Sequence, residues 1–118
     1  MAKIKLRIDF DQDRYIGHGR IELLELIGKH GSIAKAAKAM DMSYKRAWYL
    51  IDEFSGMFAE PLIERQHGGK GGGAAHLTPF GAELVAQYRE MEVKALKAFA
   101  RPLAAIEKRL SSKGPCSD

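Results

Sequence analysis

The 118-residue chain has one cysteine, four prolines and no long hydrophobic run. The single cysteine, Cys116, lies in a polar segment, so a disulfide framework is excluded and the cysteine content fits a reducing compartment. The first ten residues alternate charged and apolar side chains, a pattern that predicts neither a signal peptide nor a membrane span. We therefore expect a cytoplasmic protein that has no membrane partner.

The sequence also lacks the motifs of common enzymes and metal sites. The four histidines have no histidine four residues away and no cysteine neighbour, and no G-x-S-x-G nucleophile motif is present. The glycine-rich segment GGKGGG does not have the order of a Walker phosphate loop, and no helix start follows it directly. The sequence thus predicts no enzyme, no metal site and no cofactor.

Positive charge is what the chain has in excess. The formal net charge is +4 at pH 7 and the pI is about 9.3. Between residues 30 and 50, the basic side chains Lys35, Lys38, Lys45 and Arg46 face only one acid, Asp41. This local excess is compatible with a nucleic-acid partner, although it does not prove one.

The N-terminal third shows a strand pattern followed by a helix pattern. Ile4, Leu6, Ile8 and Phe10 alternate with charged residues, which predicts a strand with one buried face. Residues 11–19 are rich in turn formers and are expected to form a connection. A helix is predicted from about Arg20, and glycines at positions 28 and 31 bracket its end.

Two short helical patterns separated by a tight joint occupy residues 31–52. Ser32 and Ser43 stand where helix N-caps belong, because each hydroxyl can accept a hydrogen bond from a backbone N–H of the first turn. Two interpretations fit this pattern alone: a helix-turn-helix or an ordinary helical hairpin. Asp41 occupies a joint position that often holds glycine, and Asp tolerates the left-handed backbone better than most residues. The positions expected to face inward are Ile33, Ala36, Ala37, Met40, Ala47, Trp48, Leu50, Ile51 and Phe54.

The next segment separates the two interpretations. The second helix is expected to reach about Phe58, since Pro61 forbids further helix. A short strand at residues 62–66, a glycine-rich loop and a returning strand at residues 75–77 then predict a β-hairpin. Thr78 and Pro79 suit the N-cap and first turn of a final helix. This order favours a winged helix-turn-helix.

The final helix is predicted to be long, over about residues 79–110, with a disordered tail at 111–118. Pro102 predicts a kink or break near Arg101. Apolar residues recur every three or four positions along this helix, and we call them the apolar stripe: Phe80, Leu84, Tyr88, Met91, Ala95, Phe99, Leu103, Ile106 and Leu110. The stripe is longer than a small winged domain can cover, so we expect its surplus surface to meet a second copy of the chain in a homodimer. The predicted interface residues are Tyr88, Met91, Ala95, Phe99, Leu103 and Ile106.

The expected fold is mainly α with a small β-hairpin, a winged helix-turn-helix over residues 1–110 with a long C-terminal dimerisation helix. In this fold, the N-terminus of the second helix of the pair lies in the DNA major groove. Arg46 can bond guanine bidentately, and the glycine loop can bring backbone N–H groups close to phosphates. A solvated basic face and a merely flexible loop are the alternatives. The predicted DNA contacts are Ser32, Lys35, Ser43, Tyr44, Lys45, Arg46, Tyr49, Arg65, Gly69, Lys70 and Gly71.

The segments GSIAKAAKAMDMSYKRAWYLIDEF, PLIER and GGKGGGAAHLTPFGAEL carry a resemblance to a known family. Over about residues 20–92, the chain resembles the N-terminal DNA-binding domain of the ModE family of molybdate-responsive transcription regulators, and more distantly the LysR-type DNA-binding domain. The resemblance implies a winged-helix dimer acting on a palindromic operator. It places the DNA contacts at Ser43, Tyr44, Lys45 and Arg46 and in the loop around residues 68–73.

Full-length members of that family carry C-terminal molybdate-binding domains, whereas this chain ends at Asp118. We therefore expect no molybdate response from this chain alone. The leading hypothesis is a dimeric, sequence-specific DNA-binding transcription regulator. The alternatives are a winged-helix protein-interaction module without specific DNA binding and a molybdate- or oxyanion-responsive regulator.

Overall fold

A computed structural model describes residues 2–66 and 74–112. The described chain is mainly helical with two small antiparallel strand pairs, which confirms the predicted fold class. The elements in chain order are β1 (Arg7–Asp9), β2 (Tyr15–Gly17), α1 (His18–His30), α2 (Ile33–Ala39), α3 (Tyr44–Ser55), β3 (Ile63–Arg65), β4 (Ala75–Leu77), α4 (Pro79–Ala98) and α5 (Ala100–Glu107).

Strands β1 and β2 form an N-terminal ribbon, and the prediction for residues 11–19 was therefore wrong. Residues 11–19 were expected to form only a connection, but they contain β2, which pairs with β1 so that Ile8 lies opposite Ile16. Phe10 was expected on the buried face and is 57% exposed. The reason is the turn, because the Phe10 N–H donates to the Arg14 carbonyl at 2.8 Å. The Arg14 guanidinium also bonds the carboxylate of Asp11 and lowers the pKa of that carboxyl.

Helix α1 lies at the centre of the protein. It packs against α2, α3, α4 and β4, so most of its apolar side chains are covered. The helix ends at Gly31, whose φ of 70° is left-handed and whose N–H donates to the Ile27 carbonyl at 2.8 Å. This confirms the predicted glycine end. The fully covered side chains of α1 are Ile21, Leu23, Leu24 and Ile27.

Helix α3 is shorter than predicted and ends at Ser55 rather than near Phe58. Gly56 follows, and the chain leaves the helix through a turn in which the Met57 N–H donates to the Phe54 carbonyl at 3.2 Å. The Ser55 hydroxyl accepts a hydrogen bond from the Leu62 N–H at 3.0 Å. The side chain of the last helical residue thereby connects α3 to the strand that follows.

The wing consists of β3, β4 and the loop between them. The strands are antiparallel, with Ile63 opposite Leu77, and β3 is one residue shorter at each end than the predicted 62–66. Thr78 is the N-cap of α4: its hydroxyl accepts from the Gly81 N–H at 3.0 Å and donates to the Pro61 carbonyl at 2.7 Å. The predicted start of the last helix at Thr78 and Pro79 is confirmed.

The last helix is divided into α4 and α5 at Phe99, which confirms the break predicted near Arg101. Phe99 has φ −101° and ψ 13°, outside the regular helix. Pro102 causes the break, because it has no N–H for the carbonyl four residues earlier and its ring clashes with that carbonyl. That carbonyl belongs to Ala98, where α4 ends, so the break precedes the proline by three residues.

Tyr88 belongs to the core of the single chain, and its prediction as a dimer-interface residue is wrong. Its side chain is 0% exposed, and its hydroxyl donates to the Leu6 carbonyl at 2.7 Å. Burial raises the pKa of this hydroxyl. One residue later, the Arg89 guanidinium bonds Glu25 at 2.7 Å and Glu92 at 2.8 Å, which raises the pKa of Arg89. These contacts hold α4 against α1 and the N-terminal ribbon.

None of the helices in residues 2–66 and 74–112 is both long enough and apolar enough to cross a membrane.

Candidate nucleic-acid interface

The N-terminus of α3 presents three consecutive exposed side chains, those of Tyr44, Lys45 and Arg46. Ser43 is the N-cap, and its hydroxyl accepts from the Arg46 N–H at 3.0 Å, as the sequence predicted. Lys45 and Arg46 form no ion pair with any residue that the structure describes. Two cations next to the positive end of a helix dipole form a surface suited to an anionic partner.

Helix α2 holds α3 at a fixed angle through small residues. Ala36 and Ala47 are 0% exposed and Ala37 is 1% exposed, so the two helices approach closely. In the joint, Asp41 has a φ of 58°, which confirms that Asp takes the left-handed conformation there. The Met42 N–H donates to the Ala37 carbonyl at 3.0 Å. The joint is therefore a defined turn of a helix-turn-helix.

Ser32 and Lys35 lie at the start of α2. The Ser32 hydroxyl accepts from the Lys35 N–H at 3.1 Å, which confirms the predicted cap, and its own hydrogen can still be donated to a ligand. The Lys35 side chain is exposed. The neighbouring Gly31 carbonyl accepts from the Ala75 N–H at 3.0 Å. This bond ties the start of α2 to the wing.

A second link joins the wing to α3. The Arg65 guanidinium donates to the Tyr44 hydroxyl oxygen at 3.2 Å, and it lies 5.6 Å from the centroid of the Trp48 ring. We call these three residues the wing brace. Tyr44 and Arg65 are both exposed, so the brace leaves their outer faces accessible. Trp48 is half-buried and packs against the core, in line with its predicted inward position.

Four predicted contacts remain, Tyr49 and three residues of the glycine loop. Tyr49 is 65% exposed on α3. Gly69, Lys70 and Gly71 fall in the segment 67–73, outside the described residues. Their contact with DNA therefore stays a prediction.

Two basic residues near Arg46 were missed by the sequence reasoning. Lys5 and Arg7 of the N-terminal segment line the same cavity as Arg46. The Arg7 guanidinium lies 3.9 Å from the centroid of the Tyr15 ring, and the Arg20 guanidinium lies 4.0 Å from the same centroid. The alternation of basic and apolar residues at the N-terminus indicated a strand with one basic face. The pairing of β1 with β2 determines where that face lies relative to Arg46.

The apolar stripe of the last helices is accessible in the single chain. Met91 is 36% exposed, Phe99 50% and Ile106 61%, whereas Ala95 and Leu103 are half-buried. Of the predicted interface residues, only Tyr88 is covered within its own chain. Further large exposed apolar side chains of this region, which were not among the predicted interface residues, are Val93, Leu96 and Leu110.

Comparison with known proteins also identifies a helix-turn-helix. Residues 19–82 match the family of bacterial regulatory helix-turn-helix proteins of the lysR type. The chain is 40% identical over 97 residues to the molybdenum transport protein ModE of Azotobacter vinelandii, covering 82% of this chain and 36% of that protein. It is 40% identical over 98 residues to the DNA-binding transcriptional dual regulator ModE of Escherichia coli K12, covering 83% and 37% respectively. The chain thus spans little more than a third of the length of these curated relatives.

Among solved structures, the fold is similar to that in the crystal structure of the CbnR DBD–DNA complex. The TM-score is 0.58 at 22% identity, and the match covers 75% of this chain and 95% of the other. At this identity, the likeness concerns the fold.

Proposed function

Because this chain belongs to the lysR family of bacterial regulatory helix-turn-helix proteins and is homologous to the helix-turn-helix domain of ModE regulators, we propose that it is a transcription regulator that binds specific double-stranded DNA. The observation that carries the proposal is the pair of exposed cations, Lys45 and Arg46, in the first turn of α3. In a helix-turn-helix, that turn enters the major groove.

Each part of the surface has a role in this proposal. Arg46 bonds guanine O6 and N7, and Lys45 bonds a base or a phosphate. Ser32 and Lys35 at the start of α2, together with Arg65 and the loop residues Gly69, Lys70 and Gly71, contact the DNA backbone. Backbone contacts fix the position of α3 in the groove, while base contacts give the specificity.

The wing brace sets the distance between these two kinds of contact. Arg65 holds the Tyr44 hydroxyl oxygen at 3.2 Å, so a phosphate contact made by the wing is connected to the first residue of α3. The Tyr44 hydroxyl can donate its hydrogen to a phosphate while it accepts from Arg65.

We further propose that the chain acts as a homodimer through the apolar stripe. The side chains of Phe99 and Ile106 are large, apolar and exposed, and other apolar residues lie close to them in the sequence. A contiguous apolar patch of this kind is typical of an interaction site. A two-fold dimer places two α3 helices on two half-sites, which requires a palindromic operator. A partner protein on the same stripe is the second candidate function, an interaction module.

The test is DNA binding by fluorescence anisotropy at fixed salt, on a duplex selected from a random pool. Arg46→Ala is expected to weaken binding to the selected duplex by roughly 10-fold or more, since a good bidentate base contact contributes about 1–3 kcal/mol. Binding to an unrelated duplex is expected to fall much less, because that duplex offers no matched guanine.

Lys97→Ala is the matched control, because it removes the same charge from α4, outside the helix-turn-helix. Its affinity is expected to stay close to that of the unaltered chain. If the selected and unrelated duplexes bind equally well, before and after Arg46→Ala, specific DNA binding is disproved. A chain that is monomeric and binds no duplex supports the interaction module instead.

The relatives are named for molybdenum transport or as ModE regulators, and we propose that this chain alone does not bind molybdate. The match to these proteins covers their helix-turn-helix region and little more than a third of their length. Calorimetric titration of the 118-residue chain with molybdate is expected to give no binding heat. A saturable heat would support the oxyanion-responsive alternative.

A further inference from the structure

A cavity lies between the N-terminal ribbon, the start of α1 and the outer side of α3. Its volume is about 480 Å³, which is within the range of small-molecule pockets in proteins. It is built from described residues only. None of the DNA contacts proposed above uses it, apart from Arg46 at its border.

The floor of the cavity is apolar. Leu23 of α1, Met42 of the joint, and Leu50 and Phe54 of α3 line it. Leu23 and Phe54 belong to the buried core, while Met42 and Leu50 are half-buried. A ligand that lies on this floor gains from covering apolar surface, whereas a small, strongly hydrated inorganic anion does not.

The border of the cavity is basic. Lys5, Arg7, Arg20 and Arg46 line it, and the described lining residues include no Asp or Glu. Arg7 is paired with Asp9 at 3.1 Å and Arg20 with Glu53 at 3.3 Å.

Lys5 and Arg46 have no acidic partner among the described residues. His18 also lines the cavity, but its ring faces Glu22 at 3.6 Å and Glu92 at 3.8 Å. The unbalanced positive charge is therefore that of Lys5 and Arg46.

Arg20 adds a buried cation to this wall. Its side chain is only 10% exposed, and its Nε atom is buried and has no hydrogen-bond partner within the described part of the chain. The guanidinium lies 4.0 Å from the centroid of Tyr15 and 5.5 Å from that of Phe54. Arg20 lines the cavity, and a buried donor without a partner is costly.

We propose that this cavity is a binding site for a small organic anion with a flat apolar body and one carboxylate. The apolar body lies on the floor formed by Leu23, Met42 and Leu50. The carboxylate faces Lys5 and Arg46, for which the described part of the chain supplies no competing acid. Both parts are needed, because the floor selects against inorganic oxyanions and the basic border selects against neutral compounds.

The site itself does not depend on the proposed function, but one consequence does. Arg46 is shared between the cavity and the proposed base contact, and a guanidinium bonded to the carboxylate is not available to guanine. The bound anion is therefore expected to lower the affinity for the selected DNA duplex.

The test uses 1-naphthoate as the probe, with the neutral 1-naphthamide and inorganic phosphate as matched comparisons, in calorimetric titrations of the full chain without DNA. We expect saturable binding of naphthoate and weaker or no binding of the other two. Lys5→Gln is expected to weaken naphthoate binding by about two- to fivefold, the range of an exposed charge pair. Lys3→Gln removes the same charge from a residue that does not line the cavity. This variant is therefore expected to bind naphthoate as the unaltered chain does.

Equal binding of naphthoate and naphthamide, or equal binding by the Lys5→Gln and unaltered chains, would overturn the proposal. As a second measurement, the NMR chemical shifts of the Leu23 and Met42 methyl groups are expected to change when naphthoate is added. If naphthoate binds and these shifts do not change, the probe binds elsewhere and the proposed site is rejected. Anisotropy with the DNA duplex then tests the coupling. Naphthoate that binds without affecting DNA affinity disproves the shared use of Arg46. A chain that binds naphthoate but no DNA refutes the proposed function and leaves the site standing.

Discussion

The two halves of the last helical region have similar apolar spacing and opposite surroundings. From Pro79 to Tyr88, α4 is covered by its own chain: Leu84 is 8% exposed and Tyr88 is 0% exposed. Beyond Met91 the spacing continues through α4 and α5, but Phe99 is 50% exposed and Ile106 is 61% exposed. The described part of α5 has no buried residue at all.

The difference shows that helical periodicity predicts which side chains share a face but not what covers that face. In the first half, α1 and the N-terminal ribbon supply the cover through Arg89–Glu25 and the Tyr88–Leu6 hydrogen bond. In the second half, Phe99 and Ile106 stay exposed in the single chain, and we propose that a second copy of the chain covers them. The following substitutions test this contrast, from the largest expected effect to the smallest.

Tyr88→Ala in the covered half is expected to lower the free energy of unfolding by about 3–5 kcal/mol, because it leaves a large cavity in the core. Urea unfolding at a fixed protein concentration, followed by circular dichroism, measures it. Tyr88→Phe keeps the ring and removes only the hydrogen bond to the Leu6 carbonyl, so its expected cost is about 1 kcal/mol. Similar small costs for both variants would mean that Tyr88 is not a core residue.

Phe99→Asp combined with Ile106→Asp in the exposed half is expected to raise the dissociation constant of the dimer by roughly 1000-fold, since each central interface residue contributes about 2 kcal/mol or more. Sedimentation equilibrium measures the constant. Ala104→Asp adds an acid between Arg101 and Lys108, on the polar side of α5, and should leave the dimer intact. A dimer that survives the double change would assign the stripe to a different partner.

Gly81→Ala is expected to lower the free energy of unfolding by about 1–3 kcal/mol through overpacking. A Cβ at this position of α4 would collide with the Leu62 backbone carbonyl, which cannot move without displacing β3. Gly28→Ala is the matched change, because the atoms nearest to its Cβ belong to the Leu77 side chain, at 2.9 Å, and not to a backbone carbonyl. Ala also favours a helix over Gly by up to about 1 kcal/mol. Equal unfolding free energies for the two variants would contradict the close approach of α4 to β3.

Pro102→Ala is expected to have the smallest effect, below about 1 kcal/mol on unfolding, because the break at Phe99 already accommodates the ring. Alanine restores an N–H that can bond the Ala98 carbonyl, so α4 and α5 can join and the far-UV helical signal should rise slightly. Pro79→Ala, at the first position of α4 where proline is well tolerated, should leave that signal unchanged. A helical signal that does not rise in Pro102→Ala would place the cause of the break elsewhere.

Features that depend on neighbouring residues were predictable from the sequence. Ser32, Ser43 and Thr78 are N-caps as predicted, because a cap needs only a hydroxyl before a helical pattern. Gly31 stands at the helix end as predicted, and Asp41 takes the left-handed conformation that Asp was expected to tolerate, for equally local reasons. The cations of α3 are exposed because the opposite face of the same helix carries the apolar residues.

Features that depend on residues far apart in the chain were not predictable in this way. The strand Tyr15–Gly17 is too short to give a pattern, and its pairing with β1 defines it. The wing brace joins residues separated by 21 positions, and the Tyr88–Leu6 bond joins residues separated by 82. The helix limit at Ser55 is accompanied by hydrogen bonds that spacing does not show, such as the one from the Leu62 N–H to the Ser55 hydroxyl.

The sequence by itself determined the order of the helices and of the two wing strands, the caps and joint of the helix-turn-helix, and the basic first turn of α3, because these follow from local propensity and periodicity. The tertiary structure alone decided which part of the apolar stripe is used internally, that Tyr44 and Arg65 contact each other, and that Lys5 and Arg46 border one cavity. The physical reason is that burial and pairing are properties of distances between distant segments, and such distances are set only when the whole chain has packed.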